Sequence, residues 1–90
     1  MSNNKKVIIF TMPSCAPCDK LEKDMKHKDR VEFQDVEKSD EARNLAFKHG
    51  IRTAPSALLK SKEGYKKCEI YFDHKRASAV AKCEGEEIEL

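Results

Sequence analysis

The chain has no tryptophan, no clear excess of charge of either sign and no long apolar run. The run "VIIF" at 7–10 follows basic residues but ends after four positions. That is too short for the core of a signal peptide and far too short to cross a bilayer, which takes about 20 apolar residues. Eighteen basic residues against 16 acidic ones leave a net charge of +2. So even a balance argues against nucleic acid or an anionic membrane surface as a partner. No internal repeat, linker or low-complexity segment interrupts the 90 residues, which reads as one domain over 1–90. Charge is uneven only locally. Lys60, Lys62, Lys66, Lys67, Lys75 and Arg76 make one stretch basic, and Glu84, Glu86, Glu87 and Glu89 make the last residues acidic. Both read as solvated charge on opposite ends.

What the chain does have is four cysteines. With no export signal they are expected in a reducing cytoplasm. There a static disulfide framework is disfavoured, and metal binding or redox chemistry gains weight.

The 6–11 stretch "KVIIFT" is a continuous β-branched and aromatic run, expected as a central strand buried on both faces. Pro13 and Ser14 break it, and from Pro17 Cys18, Leu21 and Met25 fall at inward helical spacing. Val31, Phe33 and Val36 suggest a second, short strand. Ser39 is a helix N-cap, with Asp40 and Glu41 at the positive end of the dipole and Ala42, Leu45 and Ala46 on the buried stripe. His49 and Gly50 close that helix. "SALLKS" reads as a third strand, Glu63-Gly64 as a hairpin turn, and "KCEIYF" as a strand with Cys68, Ile70 and Phe72 on one face. The alanine-rich "KRASAVAKCEG" reads as a closing helix stopped by Gly85. The expected fold class is therefore α/β, in the order β-α-β-α-β-β-α. It has a parallel crossover at the start, a hairpin at the end, and a four-stranded mixed sheet flanked by three helices.

In "TMPSCAPCDK" the pair Cys15 and Cys18 spans the junction of the buried strand and the helix after it. A helix N-terminus offers unpaired N–H groups and partial positive charge, which favour thiolate over thiol. Cys15, before the first turn, feels this most. Cys18 points back into the helix and is more buried. One activated sulfur and one shielded partner suit dithiol exchange. Pro17 fits a helix start, where a missing N–H costs nothing, and Lys20 and Lys23 add positive field. A zinc site needs two more ligands from Cys68, Cys83 or a histidine, and no second C-x-x-C supplies them. A metal-binding module using Cys15 and Cys18 is the competing class. Cys68 and Cys83 read as packed sulfurs with no part in turnover. His27, His49 and His74 flank helix ends and are expected to be exposed.

"SCAPC" after a strand and "TAPS" before a later one resemble the thioredoxin/glutaredoxin superfamily, and the likeness covers nearly the whole chain in element order. It implies a thioredoxin-like fold of compact, glutaredoxin size. It also implies a cis Ala54–Pro55 bond facing the cysteines, with Ala54 and Pro55 binding an extended substrate segment. "CAPC" is nearer to the thioredoxin motif than to the glutaredoxin one. The chain departs from thioredoxins at Ser14, where they carry tryptophan, and at Ile9, where they bury an acid. "FDHKRA" stands where glutaredoxins have the glycine pair that holds glutathione. The implied activity is a thiol-disulfide oxidoreductase that reduces disulfide-containing proteins as a monomer and electron carrier. A flavoprotein thioredoxin reductase is the expected donor, ahead of glutathione. A glutathione-dependent glutaredoxin is the nearer alternative. The chain itself requires no cofactor.

Overall fold

In the computed structural model, which describes residues 6–90, strand β1 (Lys6–Thr11) is the strand the apolar run calls for. Val7, Ile8, Ile9 and Phe10 are all buried. Such a run is stable only with cover on both faces, and the two helices supply it. Helix α1 (Ala16–Asp24) sets Leu21, with Met25 just beyond its end, against Val7, Ile9 and Leu59. Helix α2 (Asp40–Lys48) sets Ala42 and Ala46 against Ile8, Phe10 and Leu58 on the opposite face.

After α1 a single 3₁₀ turn (Lys28–Arg30) leads into β2 (Val31–Asp35), which pairs parallel with β1. Val36 lies just past β2 and packs on the α2 side. The ends of α2 are fixed by local chemistry. Ser39 Oγ accepts from the Ala42 N–H at 3.1 Å. At the other end Ile51 N–H bonds to Ala46 O at 2.9 Å and Gly50 N–H to Phe47 O at 3.1 Å, a Schellman closure with Gly50 at φ 73°. That closure turns the chain back toward the sheet and delivers Thr53, Ala54 and Pro55 to the end of β1.

Strand β3 (Ser56–Ser61) pairs antiparallel with β1, and a two-residue turn joins it to β4 (Gly64–Asp73). Here the chain departs from the expected fold. "SAVAKC" is not a helix but strand β5 (Ser78–Cys83), and Glu84-Gly85 is a hairpin turn into β6 (Glu86–Glu89). The sheet therefore has six strands, in the order β2-β1-β3-β4-β5-β6, and the described residues form two α-helices. The expectation of four strands and three helices is corrected. Alanine favours helices in isolation, yet here Ser78, Ala79, Val80 and Ala81 are buried in succession, which an amphipathic surface helix cannot accommodate. Ala79 and Ala81 face the α1 side, where their small side chains share a cluster with Leu21 and Met25.

The acidic stretch is part of the sheet, with Glu84 and Glu87 exposed and its other glutamates partly buried. Glu86 lies 3.7 Å from Lys66, Glu87 lies 3.2 Å from Arg76 and Glu89 lies 3.7 Å from the His27 ring, so β6 has partners on several sides. Beyond β6, Leu90 is fully buried. Its carbonyl accepts the N–H groups of Lys26 (2.8 Å) and His27, and its own N–H donates to Ala79 O at 2.8 Å. The last strand thus anchors the C-terminal end of α1. No helix among the described residues is long and apolar enough to cross a membrane.

Candidate functional site

The C-terminal end of β1, the N-terminus of α1 and the segment entering β3 converge on Cys15 and Cys18. Ser14 adopts a left-handed conformation (φ 56°), a costly geometry for a residue with a side chain, and Cys15 leaves it in extended form as the N-cap of α1. The Cys15 sulfur takes the place of the usual serine or aspartate oxygen: the Cys18 N–H donates to it at 3.2 Å. Pro17 occupies the first turn, where no donor is lost. Cys15 and Cys18 form a disulfide with Cα atoms 5.2 Å apart. Cys15 is half-buried and Cys18 buried, so the two sulfurs differ in access.

Opposite them, the Ala54–Pro55 bond is cis, and the Ala54 carbonyl oxygen lies 4.0 Å from Cys15 Sγ. The four residues singled out from sequence (Cys15, Cys18, Ala54 and Pro55) therefore meet at one end of the sheet. Of the two lysines expected to add positive field, Lys20 is tied to Asp24 at 3.3 Å and stands 5.9 Å from the centre of the Phe72 ring. His27 is half-buried beside Glu89, His49 packs against Tyr65 with ring centres 5.1 Å apart, and the exposed His74 packs on Phe72. None of the three adjoins the cysteines.

Two clefts flank the site. One, of about 690 Å³, runs between α1 and β4, with Pro17, Leu21, Pro55, Cys68, Ile70 and Phe72 in its walls. The other, of about 310 Å³, lies on the α2 side between Met12, Phe47, Ile51 and Ala54, with Arg43 and Arg52 at its rim. On β4, desolvation and then the nearby Glu87 carboxylate raise the phenol of the exposed Tyr71 above its ordinary value of 10.0.

Sequence reasoning treated Cys68 and Cys83 as separate packed sulfurs, and the structure corrects this. They are direct partners across the β4–β5 ladder and form a second disulfide, with Cα atoms 4.1 Å apart. The alternation of "KCEIYF" marks one of the two strands. Once "SAVAKC" is a strand antiparallel to "KCEIYF", the two cysteines fall on the same face. Reading the alanines as a helix hid the other. Among the described residues, no cluster of three or more histidine, cysteine, aspartate or glutamate side chains is arranged to hold a metal ion.

Comparison of the chain with protein-family models, with curated proteins and with solved structures gave no match, so the functional argument rests on the site itself.

Proposed function

We propose that the protein is a thiol-disulfide oxidoreductase that reduces disulfide-containing proteins through Cys15 and Cys18. The observation that carries this reading is the Cys15 sulfur serving as the N-cap of α1, with Cys18 bonded to it and buried one turn on. A sulfur that accepts a backbone N–H at a helix N-terminus is stabilised as a thiolate when the disulfide opens, because the donor and the dipole both favour negative charge. The resemblance of "SCAPC" and "TAPS" to the thioredoxin and glutaredoxin motifs supports the same chemistry.

In the reductive direction the Cys15 thiolate attacks one sulfur of a partner's disulfide. A mixed disulfide forms and the partner's other sulfur leaves as a thiolate. Cys18 then attacks Cys15 Sγ, closing the Cys15–Cys18 bond and releasing the partner's second thiolate. Two electrons have passed to the partner, and a donor must return them. A flavoprotein reductase is the proposed donor, with the cytoplasm as the place of action. Ala54, beside Cys15, presents its backbone to the substrate segment, and its small side chain leaves the approach open.

The test is reduction of insulin disulfides by the whole chain, driven in parallel by thioredoxin reductase with NADPH and by glutathione with its reductase. Turnover with the first system is the expected result. Turnover with glutathione alone reassigns the donor, and none with either overturns the reading.

A further inference from the structure

We propose that Cys68–Cys83 is a second redox-active disulfide, opened by a thiolate that enters the cleft between α1 and β4 and attacks Cys68. This goes beyond the role given to Cys15 and Cys18 and does not depend on it.

Three observations carry the proposal. First, the two sulfurs differ in access. Cys83 is fully buried, whereas Cys68 is half-buried and forms part of the cleft wall, which Cys83 does not reach. Second, the cleft lies on the face that Cys68 presents. Ala57, Cys68 and Cys83 are successive partners across β3, β4 and β5, so their side chains share one face of the sheet. Leu21, Pro55 and Ser56 line the cleft over that face beside Cys68. Third, a volume of about 690 Å³ admits a small thiol or a peptide side chain without rearrangement of the sheet. The same cleft reaches Pro17 and Pro55, the neighbours of the first disulfide.

The step balances as ordinary exchange. A thiolate RS⁻ forms a bond to Cys68 Sγ, the Cys68–Cys83 bond breaks, and Cys83 leaves as a thiolate that takes up a proton. A second RS⁻ attacks the RS sulfur of the mixed disulfide, RSSR departs, and Cys68 is left as a thiolate that is protonated in turn. Two thiols are oxidised to one disulfide, and one protein disulfide is reduced to two thiols. The attacking thiolate is that of a free thiol, and the test separates it from attack by the protein's own Cys15.

The oxidised full chain is mixed with 2-mercaptoethanol, quenched in acid at intervals, alkylated and mapped by mass spectrometry. The rate of global unfolding is measured on the same sample by hydrogen exchange. The expected result is reduction of Cys68–Cys83 at a rate proportional to thiol concentration and at least tenfold above unfolding, with the thiol adduct on Cys68. An unchanged rate in a Cys15→Ser, Cys18→Ser variant identifies the free thiol as the attacker. A tenfold fall identifies Cys15 as the attacker and overturns entry through the cleft. Adducts on Cys83, or reduction only at the unfolding rate whatever the thiol concentration, overturn the proposal. Neither result bears on insulin reduction, so the two readings fail separately.

Discussion

The Cys18 N–H donates to the Cys15 sulfur across 3.2 Å, so the residue that closes the disulfide also solvates the sulfur it bonds. When the bond opens, that donor remains in place for the thiolate. The two cysteines are thus unequal before any substrate arrives, and variants at each are expected to differ in kind. Cys15→Ser reduces protein-disulfide reduction to the uncatalysed background. Cys18→Ser keeps the attacking sulfur and loses the resolving one, so it accumulates mixed disulfides visible as mass adducts under non-reducing conditions. Adducts on Cys15→Ser and none on Cys18→Ser reverse the assignment.

The Cys68–Cys83 bond closes the β4–β5 hairpin, with a sequence separation of 15 residues. Cross-linking a loop of that size removes about 3 kcal/mol of chain entropy from the unfolded state. A Cys68→Ala, Cys83→Ala variant is expected to lose stability of that order in urea unfolding while retaining insulin reduction through Cys15 and Cys18. Loss of turnover in a folded variant would make the second disulfide part of the catalytic cycle.

Two backbone positions predict opposite effects. Gly50 closes α2 at φ 73°, and an added Cβ meets only Lys67 Nζ at 3.7 Å, an ordinary contact. Gly50→Ala is therefore expected to cost about 1 kcal/mol from backbone strain alone. Ala77, in the β4–β5 turn at φ 52°, is the converse. Ala77→Gly relieves a left-handed alanine and is expected to gain up to about 1 kcal/mol, offset in part by the freer unfolded chain. Thermal unfolding reads both, since 1 kcal/mol moves the midpoint by roughly 4–8 °C in a domain of this size.

Tyr71 supplies a pH signature. Its phenol is held protonated above its ordinary value of 10.0, first by desolvation and then by Glu87. The folded state therefore binds this proton more tightly than the unfolded state. The stability it contributes is intact below pH 10 and is lost as pH rises through the folded value. The ultraviolet phenolate titration of Tyr71, isolated with a Tyr65→Phe background, is expected above 10.0 and to move down in Glu87→Gln. No movement in that variant would leave desolvation and the Asp73 carboxylate as the causes.

The first two-thirds of the fold is legible because its signals are local. The run 7–10, the Ser39 cap and the Gly50 closure each state their own conformation through a few adjacent side chains, and the hairpin turn expected at Glu63-Gly64 falls one residue earlier, at Lys62-Glu63. The site is legible for the same reason, since Cys15, Pro17 and Cys18 lie at one strand–helix junction. The stretch 78–83 is not. Nothing within it separates a buried strand from an alanine helix, and what decides is the company of β4 on one side and β6 on the other. The pairing of Cys68 with Cys83 is hidden for the same reason, because register across two strands is a property of the sheet and not of either segment.

Leu90's hold on the Lys26–His27 corner has a consequence for biosynthesis. Helix α1 shares its cluster with Ala79, Ala81 and Leu90, all made in the last part of the chain. A nascent chain that has emerged only through β3 holds β1, β2 and α2 and offers α1 the side chains of Val7, Ile9 and Leu59, but lacks the rest of the surface on which that helix rests. The helix carrying Cys15 and Cys18 is therefore fully seated only after the segment through Leu90 has left the ribosome. Until then its two cysteines lie on a helix without its final packing, open to whatever oxidant or thiol the surroundings contain.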